Sequence, residues 1–167
     1  MSRIVPILSW AISLWICNVF LSSLPYKFSG HADTVHIFST IGLWMQADIS
    51  VPLGSVFATY GAIAVGSVEL FTSIMLLFPA LLFMVSFTGA IPSTGYRVYF
   101  HAVGGLMSAA VMSGAVFFHL ATPLGVEVLH KGVSDGGSLF YAAVSILVLG
   151  LFMALLNYQM IRQINRY

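Results

Sequence analysis

The chain has 167 residues, of which 59 % are hydrophobic and only 7 % charged, with a mean hydropathy of +0.99. That leaves too little polar surface to cover a water-soluble domain, so the chain reads as an integral protein of the lipid bilayer, a single transmembrane domain over 1–167. A formal net charge of +1 excludes the dense basic patch that nucleic-acid binding requires.

Four apolar runs, at about 4–24, 57–78, 99–122 and 139–161, approach the roughly 20 residues a helix needs to cross a bilayer. They are continuous and lack a period of two, which argues against a β-barrel. The expected fold is therefore all-α: a polytopic membrane four-helix bundle, with a short amphipathic interfacial helix after the first span. The first run is longer than the apolar region of a usual signal peptide and reads as an anchor that stays.

After that run comes LPYKFSGHADTVHIF, residues 24–38, where Lys27, His31, Asp33 and His36 cluster. Pro25 is expected to end the first helix, with Tyr26 and Phe28 at the headgroups and the Lys27 ammonium snorkelling to water. Ser29 or Asp33 can then cap a short helix that Gly42 stops, lying on the membrane face with Trp44 as an anchor. His31 and His36 stand five apart, about 140° around a helix, a poor spacing for a metal pair. They read as solvated, and no bound metal is expected.

Glu69 falls about halfway along the second span, on a stripe of small and polar residues with Ala58, Ala62, Gly66 and Ser73 at helical spacing. An ionisable group at that depth costs several kcal/mol unless it is paired, neutral or facing a polar cavity. A protonated Glu69 that donates a hydrogen bond is the expected resting form. Beyond Pro79 the sequence stays apolar to Ile91; either the helix continues with a kink or a re-entrant piece follows, before the turn-like IPSTGYR.

On the third span His101, Gly105, Ser108, Met112, Ala115 and His119 succeed one another at steps of three or four. His119 and Glu69 either line a common cavity, to which Asn18 and Cys17 of the first span would contribute, or hydrogen-bond across helices and fix the packing. In the loop PLGVEVLHKGVSDGGSLF, Pro123 and Gly125 stop the third helix. Ser134, Asp135 or Ser138 caps the fourth. Glu127, His130 and Asp135, with Lys27 and His31, form either the mouth of a site or an ordinary wet loop.

Arg3, Arg97, Arg162 and Arg166 fall on one side of the four spans and Lys27 and Lys131 on the other, so the positive-inside rule places both termini in the cytoplasm, in a cell (inner) membrane. Cys17 is the sole cysteine, which excludes dithiol exchange within this chain and thiolate metal sites. No haem-ligand pair or flavin motif is visible, so neither cofactor is expected.

The order KFSGHADTVHIFSTIG, VELFTSIMLLFP, MSGAVFFHLATPLGVEV and DGGSLF, spread over about 20–141, resembles the DoxX-like small membrane proteins. That four-helix family is related to the small subunit of thiosulfate:quinone oxidoreductase. The resemblance implies matches at Lys27, Glu69, His119, Glu127 and the Asp135-Gly136-Gly137 turn. Two stretches depart from the pattern: a longer connection over 43–57 and about fifteen residues inserted around 81–99.

The resemblance implies a redox-associated subunit that binds a quinone or other lipophilic molecule near Glu69 and His119, with Lys27 at the outer mouth; Asn18, Ser73 and Met112 are further ligand-binding candidates by their helical placement. Electrons would come from a partner subunit, because the chain carries no redox motif of its own. Two other readings remain open: a scaffold or assembly factor whose Gly- and Ala-rich faces pack against a partner or a second copy, and a small transporter protomer. No catalytic residue is assigned.

Overall fold

A computed structural model describes residues 4–89 and 95–166 of the chain. In order, it contains α1 (Ile4–Ser29), α2 (Ala32–Asp48), α3 (Val51–Ser86), α4 (Tyr96–Ala121), a two-stranded hairpin of β1 (Leu129–His130) and β2 (Val133–Ser134), and α5 (Ser138–Ile164). The helices α1, α3, α4 and α5 are each long and apolar enough to cross a membrane. In lipid every backbone polar group must be satisfied within its own segment, and continuous helices do this. The molecule is thus a multi-pass helical membrane protein. Large apolar side chains such as Leu14, Ile63, Phe71, Leu106 and Leu155 point outward from these spans, the pattern of a surface in contact with acyl chains.

Pro25, expected to end the first helix, and Pro79, where a continuing helix was one of two alternatives, both lie inside helices. α1 runs through Pro25 to Ser29, and α3 through Pro79 to Ser86. A proline removes one helical hydrogen bond, and membrane helices tolerate this where neighbouring groups satisfy the backbone. At Pro79 the carbonyl left without its helical donor is that of Met75, and the adjacent Leu76 carbonyl accepts from His101 Nε2 at 3.2 Å. Of the two alternatives after Pro79, the continuous helix is the one observed; most of the IPSTGYR turn lies outside the described residues.

With 36 residues, α3 is about 54 Å long at 1.5 Å per residue, well beyond the ~30 Å hydrocarbon core. Its first part is paired with α2. The Gly42 and Gly54 backbones touch there, and Phe38 covers Gly61. Gly42 therefore does not stop the helix: without a Cβ it lets α2 and α3 approach, and α2 continues to Asp48. The α2 N-cap is His31, whose Nδ1 accepts the Asp33 N–H at 3.3 Å, in place of Ser29 or Asp33.

The remaining helices pack through side-chain bonds and glycine contacts. α4 and α5 cross where Gly105 meets Gly150; a Cβ on Gly105 would lie 2.6 Å from the Gly150 carbonyl oxygen. α1 is tied to α5 by Asn157 Nδ2 donating to Ser9 Oγ at 2.9 Å and by Ser13 Oγ donating to Met153 Sδ at 3.4 Å. Ile16, Phe20, Leu76, Met112, Ile146 and Met153 form the main core between the spans. A second cluster of Ile41, Met45, Leu124 and Val128 joins α2 to the loop after α4.

The Gly105–Gly150 crossing has no room for a larger side chain. Gly105→Leu is expected to destabilise the bundle by about 1–3 kcal/mol, the usual range for forcing bulk into a packed contact. Thermal unfolding in mild detergent should show a lowered midpoint, whereas a substitution at lipid-facing Leu106 should leave it nearly unchanged.

Candidate functional site

At one end of the bundle the helices are knitted together, with Arg97 Nη1 donating to Asn157 Oδ1 at 3.0 Å beside Ser9. The last hydrogen bond between α1 and α5 going away from that end joins Trp15 Nε1 to Ser145 Oγ at 3.1 Å. Beyond it lies a cavity of about 1070 Å³, walled by all five helices and the β1–β2 hairpin. Its surface is mostly apolar, from residues such as Phe20, Ile37, Phe57, Val68, Met112 and Leu139.

The polar groups on this wall are few and organised. Lys27 Nζ lies 2.6 Å from Glu69 Oε2 and donates to Ser23 Oγ at 2.7 Å. Ser23 Oγ is itself 3.0 Å from the same carboxylate oxygen. The Lys27 and Glu69 side chains are 16 % and 3 % exposed, so the pair is withdrawn from solvent. Lys27 was expected to snorkel outward. Because α1 continues through Pro25, however, Lys27 stands one helical turn after Ser23, on the inward face. The same contact gives Glu69 the geometry of an ion pair in place of the neutral carboxyl expected from burial alone.

His119 and Glu69 do not form the cross-helix bond considered as an alternative. His119 Nδ1 instead bonds the Gly125 carbonyl at 2.7 Å, inside the loop that follows α4. A carbonyl only accepts, so Nδ1 carries a proton, which leaves Nε2 as the acceptor when the ring is the neutral tautomer. The ring is buried, packs edge-on against Phe140 with 5.6 Å between centroids, and lines the cavity.

Of the other residues singled out from sequence, Met112 also lines the cavity. Ser73 is buried behind the wall and bonds the Glu69 carbonyl at 2.8 Å, and Cys17 Sγ contacts the Ser73 carbonyl at 3.7 Å. Asn18 is exposed on another face of α1, away from the cavity.

The end of the cavity farthest from Arg97 is covered by α2 and the hairpin. Asp33 Oδ1 accepts from His130 Nδ1 at 2.5 Å, and the His36 ring stacks on that of His130 with 4.7 Å between centroids. The His130 hydrogen bond holds the Asp33 carboxyl below its ordinary range. Asp135 organises the turn into α5: its carboxylate accepts the backbone N–H groups of Val128, Gly137 and Leu139 at 2.8–3.0 Å. Partial burial pushes the Asp135 carboxyl up, but those bonds outweigh it and leave the pKa below the ordinary 3.8. Glu127 is exposed and accepts from Ser134 Oγ at 2.8 Å, and His31 is exposed at the start of α2; neither lines the cavity. Among the described residues no three His, Cys, Asp or Glu side chains stand together as a metal site.

Sequence reading missed Ser23 and the Asp33–His130–His36 contact. The first was detectable, since Ser23 stands four residues before Lys27; the second spans 97 residues and has no local signature.

Two outcomes follow from this geometry. Lys27→Met should cost about 3–5 kcal/mol, because it leaves the Glu69 carboxylate buried and unpaired, and adding Glu69→Leu should recover much of that loss; unfolding of both variants in detergent measures it. Asp135 has a depressed folded-state pKa, so its contribution is complete above about pH 4 and is lost as pH falls through the folded value. The stability difference between the native chain and Asp135→Asn should therefore be constant from neutral pH down to about pH 5 and shrink below pH 4, as thermal unfolding across pH will show.

Compared with known proteins, the chain matches no family model, no curated protein and no solved structure.

Proposed function

We propose that this protein binds a lipophilic small molecule with a polar head, of the quinone or quinol class, and serves as a redox-associated membrane subunit. The observation that carries the reading is the placement of Lys27, Ser23 and Glu69, with His119, on the wall of a mostly apolar cavity walled by the membrane helices, α2 and the hairpin. Pockets that bind small organic molecules have this composition: apolar walls and a few placed polar groups that fix orientation.

In this reading Lys27 donates to a head-group oxygen with the N–H left over from Ser23 and Glu69. His119 Nε2 accepts a hydroxyl proton of the ligand, while its Nδ1–H stays on the Gly125 carbonyl. Ser73 and Cys17 hold α1 and α3 in register behind the wall. With a single cysteine in the chain, electrons come from a partner subunit. The motif order that resembles the DoxX-like proteins supports the same ligand class. The distribution of arginine and lysine supports an orientation with both termini in the cytoplasm and the cavity in the outer half of an inner membrane.

The test is mass spectrometry of the organic extract from protein purified in mild detergent. A quinone or similar lipophile should be retained near one per chain by the native protein and lost from Glu69→Gln and His119→Ala variants that remain folded. Equal retention by all three, or an empty extract from folded native protein that also binds no added quinone, would overturn the reading.

A further inference from the structure

The helices α3 and α4 touch at two separated places. At one, Leu76 fills the space over Gly104 and Phe78 meets Phe100 with centroids 5.2 Å apart; at the other, Phe57 meets Phe118 at 5.3 Å. Between these contacts, Ala64, Val65 and Val68 of α3 and Val111, Gly114 and Ala115 of α4 all line the cavity. Ala64 and Val68 are accessible, Val68 by 41 %. A Cβ placed on Gly114 would meet no atom within 4 Å. The cavity is open along this stretch, and every side chain lining it here is apolar.

The remaining rim differs in chemistry. Where α1, the hairpin and α5 meet, the cavity is bordered by exposed Ser22, Tyr26, Lys131, Ser134 and Ser138, with exposed Val133 and Leu139 among them. A hydrocarbon chain is compatible with the first opening and poorly matched to the second, because wetted hydroxyls and an ammonium would have to be desolvated against it. The cavity, at about 1070 Å³, is slightly above the roughly 300–1,000 Å³ that holds a drug-sized molecule, so it has room for a head group with the first part of a chain.

We infer that the ligand is a head-and-tail lipid whose polar head sits at Lys27 and Glu69 and whose tail leaves sideways between α3 and α4 into the acyl chains. This rests on the ligand reading above and adds to it the route of the tail. The head is recognised by hydrogen bonds, whereas the tail is recognised only by its passage through an apolar window, so tail length beyond the rim is not discriminated.

The experiment compares two probes, a dimethoxy-methyl-benzoquinone without a chain and the same ring carrying a decyl chain. Their affinities are measured for the native protein, Gly114→Trp and Ser113→Trp in mild detergent. Ser113 is exposed, lies outside the cavity wall and controls for added bulk on α4. Gly114→Trp should weaken the decyl probe by at least about tenfold, the order expected when bulk is forced into an occupied volume, and leave the chainless ring unchanged. Ser113→Trp should change neither. If Gly114→Trp weakens both probes equally, or neither, the window is not the tail's route, although the ligand reading stands. If the native protein binds neither probe, the ligand reading falls and the tail route with it.

Discussion

The ion pair between Lys27 and Glu69 sets the terms for the rest of this structure. A carboxylate partway along a membrane helix costs several kcal/mol if left alone, and the cost rises as water is excluded. The amine that compensates it comes from a different helix, and it reaches inward only because α1 continues past Pro25 for another turn. Helix length, proline tolerance and the inward turn of Lys27 are therefore one requirement. Ser23 completes the arrangement: its oxygen accepts from Lys27, and its single proton lies within reach of both the Glu69 carboxylate and the Phe20 carbonyl.

The cavity beside that pair arises from unequal packing along the bundle. Toward the Arg97 end the helices close on one another through Gly105 and Gly150, through Leu76 over Gly104, and through the polar ties from Ser9 and Ser13 to α5. Toward the Lys27 end close contacts persist between α3 and its neighbours, with Phe28 over Gly66 and Gly42 against Gly54, and the cavity opens beside them. Small residues act in two ways here. Where two glycines meet, missing side chains bring helices together; at Gly114, nothing lies opposite and the missing side chain leaves a gap.

The α2 helix and the hairpin close the far side by contacts of another kind. A small apolar cluster of Ile41, Met45, Leu124 and Val128 supplies adhesion, while Asp33, His36 and His130 supply direction. Asp33 is itself exposed, so its bond to His130 is screened by solvent and contributes far less than the buried pair beneath. That exposed bond orients the hairpin, while α2 itself is held against α3 where Gly42 meets Gly54.

The sequence by itself determined that the chain is a helical membrane protein with four spans, since hydropathy and length depend on composition along one segment and on the thickness of lipid. It also singled out Glu69, His119 and Lys27, because a polar group in or beside an apolar run is visible without knowing its neighbours. Tertiary structure alone decided how these groups are used. Lys27 pairs with Glu69 across 42 residues, while His119 turns to the backbone of its own following loop. Asn18, as polar as the others in sequence, faces outward because the face a helix buries is set by its neighbours and not by its own residues. Pro25 and Gly42 were read as terminators from local propensity, which is weak when packing compensates a lost hydrogen bond or requires a missing side chain. The same holds for the contact of Asp33 with His130: it depends on where two distant loops meet, and no local pattern encodes that distance.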